Sequence, residues 1–510
     1  GTLFERAASR HPANVLILDH DLDIAPGLGR RATIAEVADL VDDMASRMWA
    51  VSIRPGDRVV VHKSHGFDIA LLACAAARIG AVPVLLSPML DEQTVAALIC
   101  RVDRPFLVTD AATLDRLPVS VHSVTSGILL ASGAASGAVA LTDLNSAPRV
   151  PAVTTQPDHP TLVTHTSGTT GLPKLAVHTS RTLQARYRPQ ATAVTALLRR
   201  REAVAVHVSF VHSRLVTALA LALRHGCPLI LLADSDPARA ADLFTALRPG
   251  VIEAHPNSFM DWEELADDPR GPLANVKLFS ATFDAIHPRT VRRLLAASRR
   301  RAPIFGQLYG QSEVGPVVGR VFTRGRAPDA DGRCVGMPFP GMTAVRVVSR
   351  NTRPVSRDNP GYIEVRSDGR AVTYLGERER YEAQVSCDGW WRMGDVGYRT
   401  RWGCLHLLDR EVDMIEGFGS ALAGEDTLFS RLPELTEVVI VPSPDGAAVP
   451  VVCTRGDEPL EPSRWQAAVA DLSPMDAPVH RRRADLPKTA TTKIKRLELA
   501  RLLIPDGRTA

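Results

Sequence analysis

Nine consecutive residues, Thr166 to Lys174, read TSGTTGLPK and have the composition of a phosphate-holding loop. Gly168 and Gly171 let backbone N–H groups approach an anion closely. The hydroxyls of Thr166, Ser167, Thr169 and Thr170 add donors, and Lys174 supplies a compact positive charge. The run differs from the GxxxxGK[ST] loop, because Pro173 precedes the lysine and no hydroxyl residue follows it. An ordinary Ser/Thr/Gly turn accounts for any four of these residues, but not for nine in a row. Lysine usage adds weight: the chain has only six, at 63, 174, 277, 488, 493 and 495, and four of them fall in this loop or in LPKTATTKIKR, Leu486 to Arg496. A chain that otherwise prefers arginine keeps an ammonium at these places.

Four more stretches follow in order: Tyr309-Gly310-Gln311-Ser312-Glu313, Gly394-Asp395, Asp409-Arg410 and Pro487 to Lys493. Together with TSGTTGLPK they resemble, almost end to end, the motifs of the adenylate-forming superfamily of acyl-CoA synthetases, peptide-synthetase adenylation domains and luciferases. They are similar to its YGxTE, its TGD (with Met393 for threonine), its GR or DR hinge and its PxTxxGK. The resemblance implies ATP and Mg²⁺ as cofactors, with Thr166, Ser167, Gly168, Thr169, Thr170, Gly171 and Lys174 on the pyrophosphate. It further implies Tyr309 against adenine beside Gly310 and Gln311, Ser312 on a phosphate and Glu313 on the metal. Asp395, an acceptor-only carboxylate, would take the ribose hydroxyls, and Arg410 would reach the ribose or phosphate region. Lys493 would bridge the attacking carboxylate and the α-phosphate and stabilise charge as pyrophosphate leaves. Lys174, Glu313 and Lys493 are therefore the expected catalytic groups.

The same resemblance places the organic substrate near His207, Phe210 and His212, and near Ala281, Thr282 and Phe283. Relatives carry a Gly-Gly-Ala turn at the second stretch. Ala281 and Thr282 narrow that floor, which favours a compact, flat acid, an aromatic one, over a long fatty chain. His212 suits a packed wall position as well as a catalytic one.

Departures from the family pattern collect near the end of the chain. Val412 stands where relatives have Asp or Lys after the hinge arginine, Glu416 replaces a lysine, Gly424-Glu425-Asp426 replaces PxE, and Thr492 replaces the glycine before the terminal lysine. The adenylation half-reaction is complete in these motifs, whereas the second acceptor is open. The first reading is a ligase that passes an acyl-adenylate to the thiol of CoA or of a carrier protein. The alternative is an adenylating enzyme with a non-thiol acceptor, such as ATP-dependent activation of nitrite to diazotise an amino-aryl acid. Retention of Lys174, Glu313, Asp395, Arg410 and Lys493 argues against a non-catalytic nucleotide-binding module.

These residues need a large scaffold. A chain of 510 residues exceeds the roughly 250–300 that one core serves, so several bodies are expected. Helical and strand-like stretches alternate over residues 33–110 and again over 204–298, for example Thr33 to Met48, Asp57 to His62, Ile69 to Ile79 and Val82 to Leu86. After about residue 330 short alternating runs separated by Gly, Asn and Pro read as antiparallel strands. The expected fold is α/β, with two related α/β subdomains and a β-rich subdomain in residues 1–408 and a small, mobile α+β domain in 409–510. A formal charge of +4, from 60 basic and 56 acidic residues, calls for no nucleic acid. The apolar stretch Leu215 to Leu223 is too short to span a membrane. Seven dispersed cysteines without a CxxC pair, and a charged N-terminal stretch without a signal-peptide core, fit a cytoplasmic protein with reduced thiols.

Overall fold

Helix Ile34–Ala50 shows how local signals build the scaffold. Val37, Val41, Met44 and Met48 recur at steps of three and four and are buried, and Thr33 and Glu36 cap the first turn reciprocally. Strand Val82–Leu85 is buried at every position, as a central parallel strand must be. The computed structural model describes residues 1–503 apart from 167–170, 199–200, 283–285, 327–330, 444–445 and 490–492; for 196–198 it describes the backbone only.

Two large sheets dominate the described residues. One has eight strands, and its parallel centre comprises Pro160–His165, Val82–Leu85, Arg58–Val61, Phe106–Thr109 and Gly127–Leu130. The other has thirteen strands. Its parallel half runs Val15–Leu18, Leu229–Leu231, Val204–His207, Val251–Ala254, Leu278–Ala281 and Ile304–Gln311. This is the α/β architecture that the alternating pattern predicts.

The strands after residue 330 are antiparallel, as their pattern predicts, and they continue the second sheet: Cys334–Pro338 pairs with Gly315–Thr323 on one side and with Leu405–Arg410 on the other. The early strands Val15–Leu18 and Arg31–Thr33 join that same sheet beside Leu229–Leu231, across the chain from their sequence neighbours. Strand pairing of this kind is a long-range choice that periodicity does not encode.

The last hundred residues form a third sheet of Leu435–Pro442, Ala448–Thr454 and Val479–His480, with helix Ala421–Arg431 packed on its first strand. Its core contains Ile415, Leu428, Leu432, Val452 and Trp465. Contacts with the larger part are both polar and aromatic: Arg333 donates to Asp426 (2.8 Å), Arg483 pairs with Asp261, and the His287 ring packs on Phe429 with centres 4.9 Å apart. None of the seven cysteines is in a disulfide. Among the described residues no helix is long and apolar enough to cross a membrane.

Candidate active site

Strand Ile304–Gln311 reverses into Gly315–Thr323, and the tight connection carries Ser312 and Glu313. A buried arginine from helix Ser180–Leu198 holds this turn. Arg186 Nη2 donates to the carbonyls of Ser312 (3.0 Å) and Glu313 (2.9 Å), Nε to that of Gly369 (2.7 Å), and Nη1 to Ser213 Oγ (2.9 Å). Burial lowers its pKa to about 10, so it stays protonated at neutral pH. With its guanidinium spent on backbone and hydroxyl acceptors, Arg186 fixes where the Glu313 carboxylate points.

That carboxylate faces a cavity of about 390 Å³ bounded by both large sheets and by residues 493–497. Tyr374 Oη donates to Glu313 Oε1 at 2.6 Å, and the Lys174 ammonium lies 5.2 Å from the centre of the same ring. Burial lowers the Lys174 pKa, while the Glu313 charge opposes that shift. Cation, ring and carboxylate form a compact group at one end.

A second polar group lies where strands Trp391–Arg399 and Leu405–Arg410 pair Asp395 with Arg410. Tyr309 Oη donates to Asp395 Oδ2 at 2.6 Å, and Arg410 Nε stands 3.7 Å from Asp395 Oδ1. Burial, together with the Asp395 charge, raises the Tyr309 pKa well above its ordinary value. The Gln311 side chain braces this wall, donating to the Met393 carbonyl and accepting from Trp391 Nε1 at 3.3 Å.

His212 caps helix Ser213–His225, with its ring accepting from the Arg214 N–H (Nδ1, 3.0 Å). Nε2 therefore carries the proton and donates to Ser312 Oγ at 3.1 Å. Burial is the main cause that brings the His212 pKa down to about 3, with Arg186, Arg214 and Lys493 adding to it, so the ring is neutral. Lys493 sits on a loop whose ends are bridged between Lys488 and Ile494, and Thr489 N donates to its carbonyl at 2.7 Å. Arg496, two-pronged on Glu425 (2.6 and 2.7 Å), anchors the segment.

Of the residues singled out by sequence, Thr166, Gly171, Lys174, His212, Thr282, Tyr309, Gly310, Gln311, Ser312, Glu313, Asp395, Arg410 and Lys493 all line this one cavity. Ser167, Gly168, Thr169, Thr170 and Phe283 lie outside the described residues, as does Thr492. His207, Phe210 and Ala281 do not line it. His207 bonds Ser258 at 2.8 Å and packs on Trp262, Phe210 stacks on His65 with ring centres 5.0 Å apart, and Ala281 is fully buried in the core. In the segment 207–212 it is the His212 ring, and not His207 or Phe210, that reaches the cavity. Sequence reading missed Arg186, Tyr374 and Arg214. No local pattern distinguishes the two arginines in an arginine-rich chain.

The residues fit a nucleotide with its metal. Gly171 (φ 123°) and Gly394 (φ 72°) both line the cavity in the left-handed region, and a Cβ built on either meets no atom of the described residues within 4 Å. Glu313 supplies a hard oxygen donor. Among the described residues no group of three or more His, Cys, Asp or Glu side chains is placed to hold a metal ion.

The pattern that defines the AMP-binding enzyme family matches residues 4–375. The chain is 49% identical to a 3-amino-2-hydroxy-4-methoxybenzoate diazotase of Streptomyces cremeus, over 99% of this chain and 95% of the relative. It is 26% identical to a 3-aminoavenalumate diazotase of a Streptomyces species, over 81% of this chain and 74% of that one. Among solved structures, ATP-bound MatB from Rhodopseudomonas palustris superposes with a TM-score of 0.79 at 20% identity, covering 98% of both chains. The cavity, its residues and these similarities lead to one assignment: the chain belongs to the AMP-binding enzyme family of adenylate-forming enzymes.

Proposed function

We propose that this chain is an ATP-dependent diazotase that activates nitrite as a nitrous–AMP anhydride and transfers the nitroso group to the amine of an amino-aryl acid. The observation that carries the reading is the 49% identity to a diazotase along 99% of the chain. It favours the non-thiol alternative over the thiol-transfer reading. The departures at Val412 and Glu416, on the side where acyl-CoA synthetases form their thioester tunnel, support the same choice.

A nitrite oxygen attacks the α-phosphorus, the bond to the bridging oxygen breaks, and pyrophosphate leaves. The amine lone pair then attacks the nitrite nitrogen, AMP leaves with the N–O bond electrons, and loss of water gives the diazonium group. Mg²⁺ bound with ATP would neutralise the phosphate charge, held by Glu313. Lys174 and Lys493 supply positive charge on the pyrophosphate and at the reacting phosphorus. Ser312 Oγ, already accepting from His212, has its own proton available for a phosphate oxygen. Asp395, with Tyr309 and Arg410 beside it, takes the ribose. Thr166 and Gly171, with Ser167 to Thr170 between them, complete the phosphate loop. The chain divides into residues 1–408 and a small domain of 409–510, which brings Lys493 to the cavity.

The test incubates the protein with ATP, Mg²⁺ and 3-amino-2-hydroxybenzoate, with nitrite or with CoA. Nitrite-dependent AMP release with a diazo product by mass supports the reading. AMP release with CoA and the acid in the absence of nitrite, giving a thioester, sinks it.

A further inference from the structure

Arg214, in the first turn of helix Ser213–His225, carries a buried donor without a partner among the described residues. Its Nε and Nη2 engage the two oxygens of Glu253, Nη2 to Oε2 at 2.6 Å, and both side chains are more than nine-tenths buried (6% and 7% exposed). The remaining nitrogen, Nη1, is buried and has no hydrogen-bond partner among the described residues. Thr282, just after strand Leu278–Ala281, also has a buried hydroxyl without a partner among the described residues. Glu253 and Ser280 are cross-strand neighbours, so the base of the arginine and the threonine spring from adjacent strands, and Arg214 and Thr282 both line the cavity.

Leaving a charged donor buried and unpaired is costly, and such a group calls for a missing partner. The free edge of a guanidinium has donors only, so its partner is an acceptor. Glu253 already balances one charge. Besides Arg214, Arg186 and Lys493 also lie close enough to act on the neutral His212 ring, which bonds Ser312, so cationic groups collect at this end of the cavity. A planar anion with two oxygens fits the guanidinium edge, and a hydroxyl alongside adds a further donor.

We propose that Arg214 Nη1 and the Thr282 hydroxyl bind the carboxylate of the amino-aryl substrate, with Glu253 as the positioning residue, so that this carboxylate is recognised and not activated. The inference rests on the diazotase reading for the identity of the substrate. A carboxylate whose oxygens are engaged by a guanidinium and a hydroxyl is a poor nucleophile, which leaves the phosphorus to nitrite. The same clamp orients the ring, and thus its amine, relative to the nucleotide.

Calorimetric titration of the full chain with 3-amino-2-hydroxybenzoate and with its decarboxylated counterpart, 2-aminophenol, tests it. Wild type is expected to bind the acid about 100-fold more tightly, as a site built for a buried polar group discriminates against a ligand lacking it. Arg214→Lys, which keeps the charge beside Glu253 and loses the fork, should cut that preference to about tenfold or less. The double variant R214M/E253Q, which removes both charges together, should bring the two affinities within about threefold. Equal affinities in wild type, or an undiminished preference in Arg214→Lys, overturn the proposal, and the lysine variant decides alone if the double variant does not fold. Nitrite-dependent AMP release by wild type is measured separately: its absence beside an intact acid preference removes the diazotase reading and leaves the carboxylate site standing.

Discussion

Tyr374 donates its phenolic hydrogen to Glu313 Oε1 at 2.6 Å and at the same time offers its ring face to the Lys174 ammonium. One aromatic side chain thus spaces a cation from a carboxylate, which would otherwise approach and neutralise each other. Both charges stay available to the cavity. Tyr374→Phe keeps the ring and loses the bond, so the Mg²⁺ concentration for half-maximal pyrophosphate release should rise about three- to tenfold. Glu313→Gln should lower kcat/KM for ATP by about 100-fold or more, because it removes the anionic oxygen itself.

Lys493→Ala should slow pyrophosphate release by about 100- to 1,000-fold while ATP affinity changes only a few-fold, since a charge needed at the reacting phosphorus is lost mainly in the transition state. Single-turnover quench measurements separate the steps. Loss confined to transfer from the adenylate would contradict the placement of this lysine at the first step.

Arg186 reaches four acceptors from a fully buried position, including the carbonyls of Ser312 and Glu313. Arg186→Met leaves those acceptors unsatisfied and should cost about 3 kcal/mol of stability. Denaturant melts measure the cost, and KM for ATP should rise as the turn loosens. Arg186→Lys should recover little of either, because one ammonium cannot span the positions that a planar fork reaches.

Acid should destabilise the fold below pH 6.5. Burial depresses His62, His207 and His287 to about 4 and His212 to about 3, so each stays neutral when folded but gains a proton when unfolded below its ordinary value near 6.5. The unfolded chain then binds more protons. Stability is therefore unaffected by these groups above pH 6.5 and falls progressively as the pH drops from there towards 4. Thermal melts from pH 7.5 to 4.5 should show a steepening decline in Tm. In the same window, kcat/KM should show no ionisation near 6.5 that disappears in His212→Gln.

The motif residues were legible because their chemistry is carried by short contiguous runs: TSGTTGLPK, YGQSE and GD are recognisable without knowing what lies beside them. Helices such as Ile34–Ala50 and strands such as Val82–Leu85 were legible for the same local reason, since capping and burial periodicity are written within one element. The pocket wall was harder. His207 and Phe210 are expected beside His212, but long-range packing decides which side chain faces the cavity: His207 bonds Ser258, Phe210 stacks on His65, and of the three only His212 lines it.

By itself, the sequence determined the class of enzyme and picked out the short runs whose described residues line the cavity, because those runs are made of adjacent residues. Tertiary structure alone decided the supports of the site. Arg186 meets Glu313 from a helix more than a hundred positions earlier, Tyr374 meets Glu313 from an edge strand of the other sheet, and Arg214 meets Glu253 across a helix and a strand. Each of these pairs joins residues far apart in the chain. Its energy comes from burial and from the fixed direction of a guanidinium or phenol, and both exist only once the sheets have brought the partners together.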